Sequence, residues 1–210
     1  ENMALATGFS VCEVKVNGEK VAAECGDIEV PENREMPTFY TITLRVTKIK
    51  AIKPVGEPIF HLAGGPGSTN MKFQPPARLL AEHDVVLVGY RGVDGSVVLD
   101  CPEVNEAMLG DGEDLLGEAS IAVIGDSFAA CGSRLRGEGI DLDGYNVREV
   151  AQDVEAARQT LGYEQINLLS ESYGTRVAQI YANLYPEQVA RIVMVGANPP
   201  GYFVWEPEVI

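Results

Sequence analysis

Ser172 stands at the centre of "SESYG", residues 170–174, between a short apolar run and a stretch of helical spacing. A serine hydroxyl becomes a useful nucleophile only where a base takes its proton and nearby donors stabilise the charge that develops. The pentapeptide has the form of the sharp strand-to-helix turn G-x-S-x-G, with Ser170 in place of the first glycine. Such a turn needs small residues two before and two after the serine, because neighbouring backbone comes close, and Ser170 and Gly174 meet that need. It lifts the Ser172 hydroxyl out at the carboxyl end of the strand. It also sets the Tyr173 amide at a helix N-terminus, where it can donate to an oxyanion. A serine that merely caps a helix would explain the same five residues without chemistry, so the surroundings decide.

A second set of donors is offered by "HLAGGPGST", residues 61–69, directly after an apolar run. Gly64, Gly65 and Gly67, with Pro66 among them, let a loop bring backbone N–H groups close to a substrate, and Gly65 is the candidate second donor of an oxyanion hole. A phosphate cradle would need a lysine and Ser/Thr after the glycines, and these are absent. An ordinary tight turn is the bland alternative. A third stretch, "GYRGVDGS" at 89–96, taken alone is a turn that contains Arg91.

These pieces need a scaffold. Residues 38–51 alternate branched or aromatic with polar residues, the period of a half-buried strand, and pair with the "KVAAECGDIEV" segment before them. The more continuous runs 58–63, 84–90, 166–170 and 190–196 read as strands buried on both faces. Helical patterns between them indicate βαβ units and a mostly parallel sheet, an α/β fold. Over 147–161, Val147, Val150, Ala151, Val154, Ala157 and Leu161 form one apolar stripe, with Asn146 and Glu149 as a capping box and Gly162 as the C-terminal cap. Val177, Ile180, Tyr181 and Leu184 form a second stripe that ends at Pro186. Residues 126–136 form a further helix that carries Cys131.

A length of 210 residues and 46% hydrophobic content suffice for one compact domain. The formal charge of -15 repels phosphate backbones and anionic head groups, which disfavours nucleic acid and membrane-surface partners. No run approaches the roughly 20 apolar residues that cross a bilayer, so the sequence reads as soluble. The chain opens at Glu1, which fits a removed leader or a trimmed start. Cys12, Cys25, Cys101 and Cys131 contain no C-x-x-C, and with only His61 and His83 beside them no metal site is expected, and no cofactor. Four cysteines allow three disulfide pairings, of which the sequence-local one, Cys12 with Cys25 and Cys101 with Cys131, is preferred; four buried free thiols are the alternative.

Taken together, "GGPGS", "YRGVDGS" and "SESYGTRVAQIYANLYPEQVARIVMVGANPP" resemble the α/β-hydrolase fold, and within it the proline iminopeptidase and tripeptidyl aminopeptidase family of serine peptidases. The likeness runs from about residue 25 to 200. It implies Ser172 as nucleophile, the Gly65 and Tyr173 amides as oxyanion hole, and Arg91 as a structural residue of its turn. The placement of the cysteines is most similar to the secreted tripeptidyl aminopeptidase branch, which implies a secreted, periplasmic or extracellular protein. Ser170, Ala63 and Asp94 depart from the family's usual Gly, His and Gly.

In this fold the triad follows the order Ser, Asp or Glu, His. No histidine follows Ser172, and the acids that do are Glu187, Glu206 and Glu208. His61 and His83 read as packing or surface residues. The resemblance implies an eight-stranded sheet with two more strands and a helical cap beyond these residues, and without them the "IVMV" strand would expose an unpaired apolar edge. Residues 1–210 are therefore expected to be the N-terminal portion of one α/β-hydrolase domain, completed by a C-terminal fragment of the same precursor that carries the Asp and His. The function expected is an exported serine hydrolase that releases N-terminal residues or short peptides through an acyl-enzyme. A carboxylesterase for small esters and a non-catalytic binding protein on the same fold are the alternatives.

Overall fold

The computed structural model describes residues 5–36, 40–109, 117–199 and 201, with side chains from residue 8 onward. Its centre is a seven-stranded sheet with the strands β1 (Leu5–Val16), β2 (Glu19–Pro31), β3 (Thr41–Ile49), β4 (Ile59–Leu62), β5 (Val85–Val88), β6 (Ile166–Glu171) and β7 (Val189–Val195). Their order across the sheet is β1-β2-β3-β5-β4-β6-β7. The first three pairings in that order are antiparallel and the last three parallel. The parallel half carries the candidate chemistry. All four residues of β4 and all four of β5 are buried, as continuous apolar runs require when both faces of a sheet are covered.

Helices α1 (Ala77–Leu80), α2 (Pro102–Met108), α3 (Glu118–Gly137), α4 (Val147–Thr160) and α5 (Tyr173–Leu184) complete the described residues. The stripes read from the sequence face the larger core, where Val150, Val154, Val177 and Tyr181 meet Phe60, Leu62, Ile166 and Leu168 of the sheet. A smaller cluster on the opposite face contains Ile59, Leu80, Val85 and Leu87, with Met71, Phe73 and Leu169 packed against it.

Several sequence expectations change in detail. The strand expected at 38–51 begins at Thr41, residues 37–39 lying outside the described ones; it pairs with β2 as expected. The long β1, which no expectation covered, pairs with β2 along most of its length. The helix expected at 126–136 is α3, which starts eight residues earlier, at Glu118. Its added turns carry exposed Ile121 and Val123 and so lack the apolar stripe that marks a core-facing helix. The capping box at α4 is only half made. Asn146 Oδ1 accepts from the amides of Arg148 and Glu149, both at 3.0 Å, but the Glu149 carboxylate does not turn back to the cap. It accepts instead from the Arg34 amide at 3.0 Å and from the Arg34 guanidinium. A buried carboxylate gains more from a guanidinium, which also carries the opposite charge, than from the cap's backbone N–H. Gly162 does close α4 in the left-handed region, at φ 74°.

Both disulfides join the sequence-local pairs, Cys12 to Cys25 across β1 and β2, and Cys101 to Cys131 between the start of α2 and α3. On chain-entropy grounds each stabilises by about 3 to 4 kcal/mol.

Arg91 and Asp153 join the loop after β5 to α4. Arg91 donates to Asp153 through Nε and Nη2, both at 2.7 Å, and to the Glu32 carbonyl at 2.7 Å. Arg34 adds a second guanidinium on Asp153 at 2.8 Å. Burial alone would lower the Arg91 pKa, but the Asp153 and Glu149 carboxylates outweigh it and the net shift is upward. Breaking such a pair strands a buried charge, so Asp153→Asn should cost about 3 to 5 kcal/mol, read as a lower urea midpoint at unchanged slope.

Candidate active site

Ser172 occupies the bend between β6 and α5 with φ 48° and ψ -117°, one of two described non-glycine residues with positive φ. An L-residue there is strained by about 1 to 3 kcal/mol and persists only because its surroundings hold it. The Ser172 amide donates to the Val195 carbonyl at 2.9 Å, and its carbonyl accepts from the Thr175 amide at 3.0 Å and the Thr175 hydroxyl at 2.6 Å. Thr175 Oγ1 in turn accepts from the Asn198 amide at 2.8 Å. The backbone of the bend is thus fastened on both sides. The hydroxyl is not: Ser172 is exposed and makes no side-chain cap hydrogen bond to α5. Capping therefore does not account for this serine.

The glycines around the bend are there for space. A Cβ on Gly174 would overlap the Leu62 carbonyl and lie 2.8 Å from the Ala63 carbonyl, so α5 can start where it does only without a side chain at that position. A Cβ on Gly64 would lie 2.9 Å from Ser172 Cβ and 3.2 Å from the Glu171 carbonyl. The glycine loop and the serine bend are therefore in contact. Gly65 and Gly67 turn the loop with φ 67° and 85°, and the Ser68 amide closes it on the Gly65 carbonyl at 3.1 Å. Neither the Gly65 amide nor the Tyr173 amide, the first of α5, has an acceptor among the described residues. Pro66 and Gly67, with Tyr90, Tyr145, Tyr173 and Arg176, line a cavity of about 330 Å³ beside the bend. Ser170, fully buried, donates from Oγ to the Val193 carbonyl at 3.0 Å and ties β6 to β7 beneath the serine.

The loop is held by residues to which the sequence assigned no such role. Asn70 is fully buried; its Oδ1 accepts from the Ala63 amide at 2.8 Å, and its Nδ2 donates to the His61 and Val88 carbonyls. Asp94, at the position where the resembled family has glycine, accepts from the Asn70 amide at 2.9 Å and the Tyr90 amide at 3.0 Å. The Tyr90 hydroxyl donates to the Ala63 carbonyl at 3.1 Å, and its ring meets Tyr173 edge to face with centroids 6.0 Å apart. Burial, followed by nearby charges, pushes the Tyr90 phenol far above its usual range, so it remains a donor. Asn70 carries no sequence signal of this role. Glu149 and Asp153, four apart beside the apolar stripe of α4, did carry one, since carboxylates there need buried cations.

His61 and His83 each have a partner. His61 is buried, stacked on Phe73 with centroids 3.7 Å apart, and its Nε2 lies 3.0 Å from Glu171 Oε1. His83 Nδ1 lies 2.7 Å from the Glu57 carbonyl, beyond the opposite, amino end of β4. Of the acids after Ser172, Glu187 lies in the turn before β7, and Glu206 and Glu208 lie outside the described residues. Among the described residues no group of His, Cys, Asp and Glu could hold a metal ion, and no helix is long and apolar enough to cross a membrane.

Residues 57–208 match the alpha/beta hydrolase fold. The chain belongs to that family. This hydrolase-fold chain is similar to the tripeptidyl aminopeptidase of Streptomyces coelicolor, at 26% identity over 202 residues that cover 87% of the chain and 36% of the relative. It is also similar to the serine protease Hip1 of Mycobacterium tuberculosis, at 28% identity over 206 residues that cover 90% and 38%. Among solved structures it resembles a Vigna radiata epoxide hydrolase mutant, with a TM-score of 0.46, 14% identity, and coverage of 89% of this chain and 38% of that one. The chain spans less than two fifths of the length of these relatives.

Gly174→Ala should cost about 1 to 3 kcal/mol through overlap with the Leu62 carbonyl, measured by urea denaturation. Burial lowers the His61 pKa below 6.5, more than its hydrogen bond to Glu171 raises it. The unfolded imidazole therefore takes up a proton near pH 6.5 that the folded one refuses, and stability falls as pH drops below that value. His61→Gln should flatten the acid limb of the urea midpoint against pH.

Proposed function

We propose that this chain supplies the nucleophile and oxyanion hole of an exported serine hydrolase that removes N-terminal residues from peptides. The observation that carries the reading is Ser172 itself: a strained, exposed, non-capping serine pressed against the glycine loop. Its hydroxyl attacks the scissile carbonyl, its proton passes to a base, and the tetrahedral oxyanion is held by the amides of Gly65 and Tyr173. The leaving amine takes the proton, and water then hydrolyses the serine ester to restore the hydroxyl. Gly64, Pro66, Gly67, Ser170, Gly174 and Arg91 support the geometry.

The base comes from outside these residues. His61 is committed to Glu171 and buried, and His83 lies beyond the wrong end of β4. A C-terminal segment of the same precursor that supplies the Asp and His accounts for both this gap and the state of β7. There Val193, Met194 and Val195 are all exposed although they alternate between the two faces of the sheet. A strand bare on both faces at a sheet edge is the place where further strands and helices add. The relatives' names support peptidase action, and the two disulfides support an oxidising compartment.

A serine-reactive phosphonate applied to the complete protein should label Ser172, and Ser172→Ala should lower aminoacyl-arylamide turnover by at least about a thousandfold. A protein that turns over short acyl esters but no substrate with a free α-amine is an esterase. One that takes up no phosphonate at Ser172 is not a hydrolase of this kind.

A further inference from the structure

Five arginines among the described residues are buried or half-buried, and four of them pair with carboxylates: Arg34 and Arg91 with Glu149 and Asp153, Arg134 with Glu103, and Arg158 with Glu155. Arg176, in α5, is the exception. Its Nη2 donates to Asn198 Oδ1 at 3.0 Å, and its Nε is buried without a partner among the described residues. An amide oxygen satisfies one N–H but leaves the charge unanswered, and a guanidinium removed from water without a counter-charge is costly. The chain has 31 Asp and Glu against 16 Lys and Arg, so the exception does not come from a scarcity of acids. The helix adds to the charge instead of offsetting it: the first turn of α5 carries no acid, and the N-terminus of a helix is its positive end.

The guanidinium is held in place. Asn198, which accepts from it, is itself tied to α5, since its amide donates to Thr175 Oγ1 at 2.8 Å. Tyr173 lies one turn before Arg176 on the same face of the helix. Burial raises the Tyr173 phenol pKa and the Arg176 charge works against that rise, so the cation is within electrostatic reach of the ring. Both residues line the cavity of about 330 Å³, together with Pro66 and Gly67 of the glycine loop. The cavity therefore lies between the two elements that carry the Gly65 and Tyr173 amides. Its other polar walls are committed: the Tyr90 hydroxyl to the Ala63 carbonyl, the Tyr145 hydroxyl to Glu32, and Arg91 to Asp153. Among the described residues no Asp or Glu lines it.

We propose that Arg176 is a specificity-determining residue that binds a carboxylate of the peptide substrate, so that peptides with an acidic side chain next to the scissile bond are preferred. This rests on the serine hydrolase reading above. A carboxylate seated in the cavity answers the Arg176 charge with charge-assisted hydrogen bonds, while the tyrosine rings cover the carbons that carry it. The formal charge of -15 repels acidic substrates in general, so the preference is local and set by this one cation.

The test uses the complete protein and two sets of matched substrates. One set is glutamyl- and glutaminyl-arylamides, each as a single residue and as the last residue of a tripeptide; the other is peptides with Glu or Gln directly after the cleaved bond. Glu and Gln differ in charge and hardly in size. The wild-type protein should favour Glu in at least one set, and Arg176→Gln should reduce that Glu/Gln ratio of kcat/KM by about ten- to a hundredfold, mostly through KM, the size of a lost charged hydrogen bond. Arg176→Lys, which keeps the charge but not the fork, should retain part of the ratio, an effect that a purely structural role would not produce. No preference for Glu in either set overturns the inference, and so does a preference that Arg176→Gln leaves intact. A lower urea midpoint for Arg176→Gln with no change in the ratio puts the carboxylate partner within the protein and also overturns it. Each of these outcomes, with phosphonate labelling retained at Ser172, leaves the hydrolase reading standing. Failure of the wild-type protein to label at Ser172 overturns both.

Discussion

The whole arrangement depends on how closely α5 starts against the end of β4. There is no room at Gly174 for even one carbon beyond the backbone, because the carbonyls of Leu62 and Ala63 fill the space. That approach forces the chain to reverse within one residue, and Ser172 takes up the reversal in a backbone conformation that an L-residue resists. The strain is tolerated because hydrogen bonds on either side fix the bend: Val195 accepts from its amide and Thr175 donates to its carbonyl. A bend held by its backbone leaves the side chain free, and this is why the hydroxyl has no structural duty.

Charged side chains are held in two different ways in this fold. The Arg91, Arg34, Asp153 and Glu149 cluster is closed, with guanidinium forks matched to carboxylates and to the carbonyls of Glu32 and Gly144. Closed clusters fix relative position, here α4 against β2 and the loop after β5. Glu171 belongs to an open arrangement: its Oε1 lies 3.0 Å from Nε2 of the buried His61, while more than half of its own side chain is exposed.

The sheet itself is asymmetric. Its antiparallel half is sealed by the long β1–β2 pairing and a disulfide, whereas its parallel half ends at β7 with apolar residues exposed on both faces. Strand β6, which leads into Ser172, is the neighbour of that edge strand.

Much of this was legible in the residues themselves. Period-2 and period-3.6 patterns located β3, α4 and α5, because those elements bury one defined face, and a continuous apolar run located β6, which is buried on both. Local spacing was enough for the glycine loop and the serine turn, since each is governed by contacts within a short stretch of chain, whereas the cysteine pairing was one preference among three until the structure joined Cys12 to Cys25 and Cys101 to Cys131. The extent of α3 was not legible, as its exposed first turns lack a stripe. The capping role assigned to Glu149 failed because Arg34, 115 residues away, competes for the same carboxylate. What the sequence by itself determined was the local geometry: which residue sits at a strained bend, and which stretch of glycines turns after β4. Only the tertiary structure decided that Gly64 touches Ser172, that Asn70 and Asp94 hold the loop, and that His61 grips Glu171. Those contacts span strands that are neighbours in the sheet and distant along the chain, and no local pattern encodes which neighbour a strand will choose.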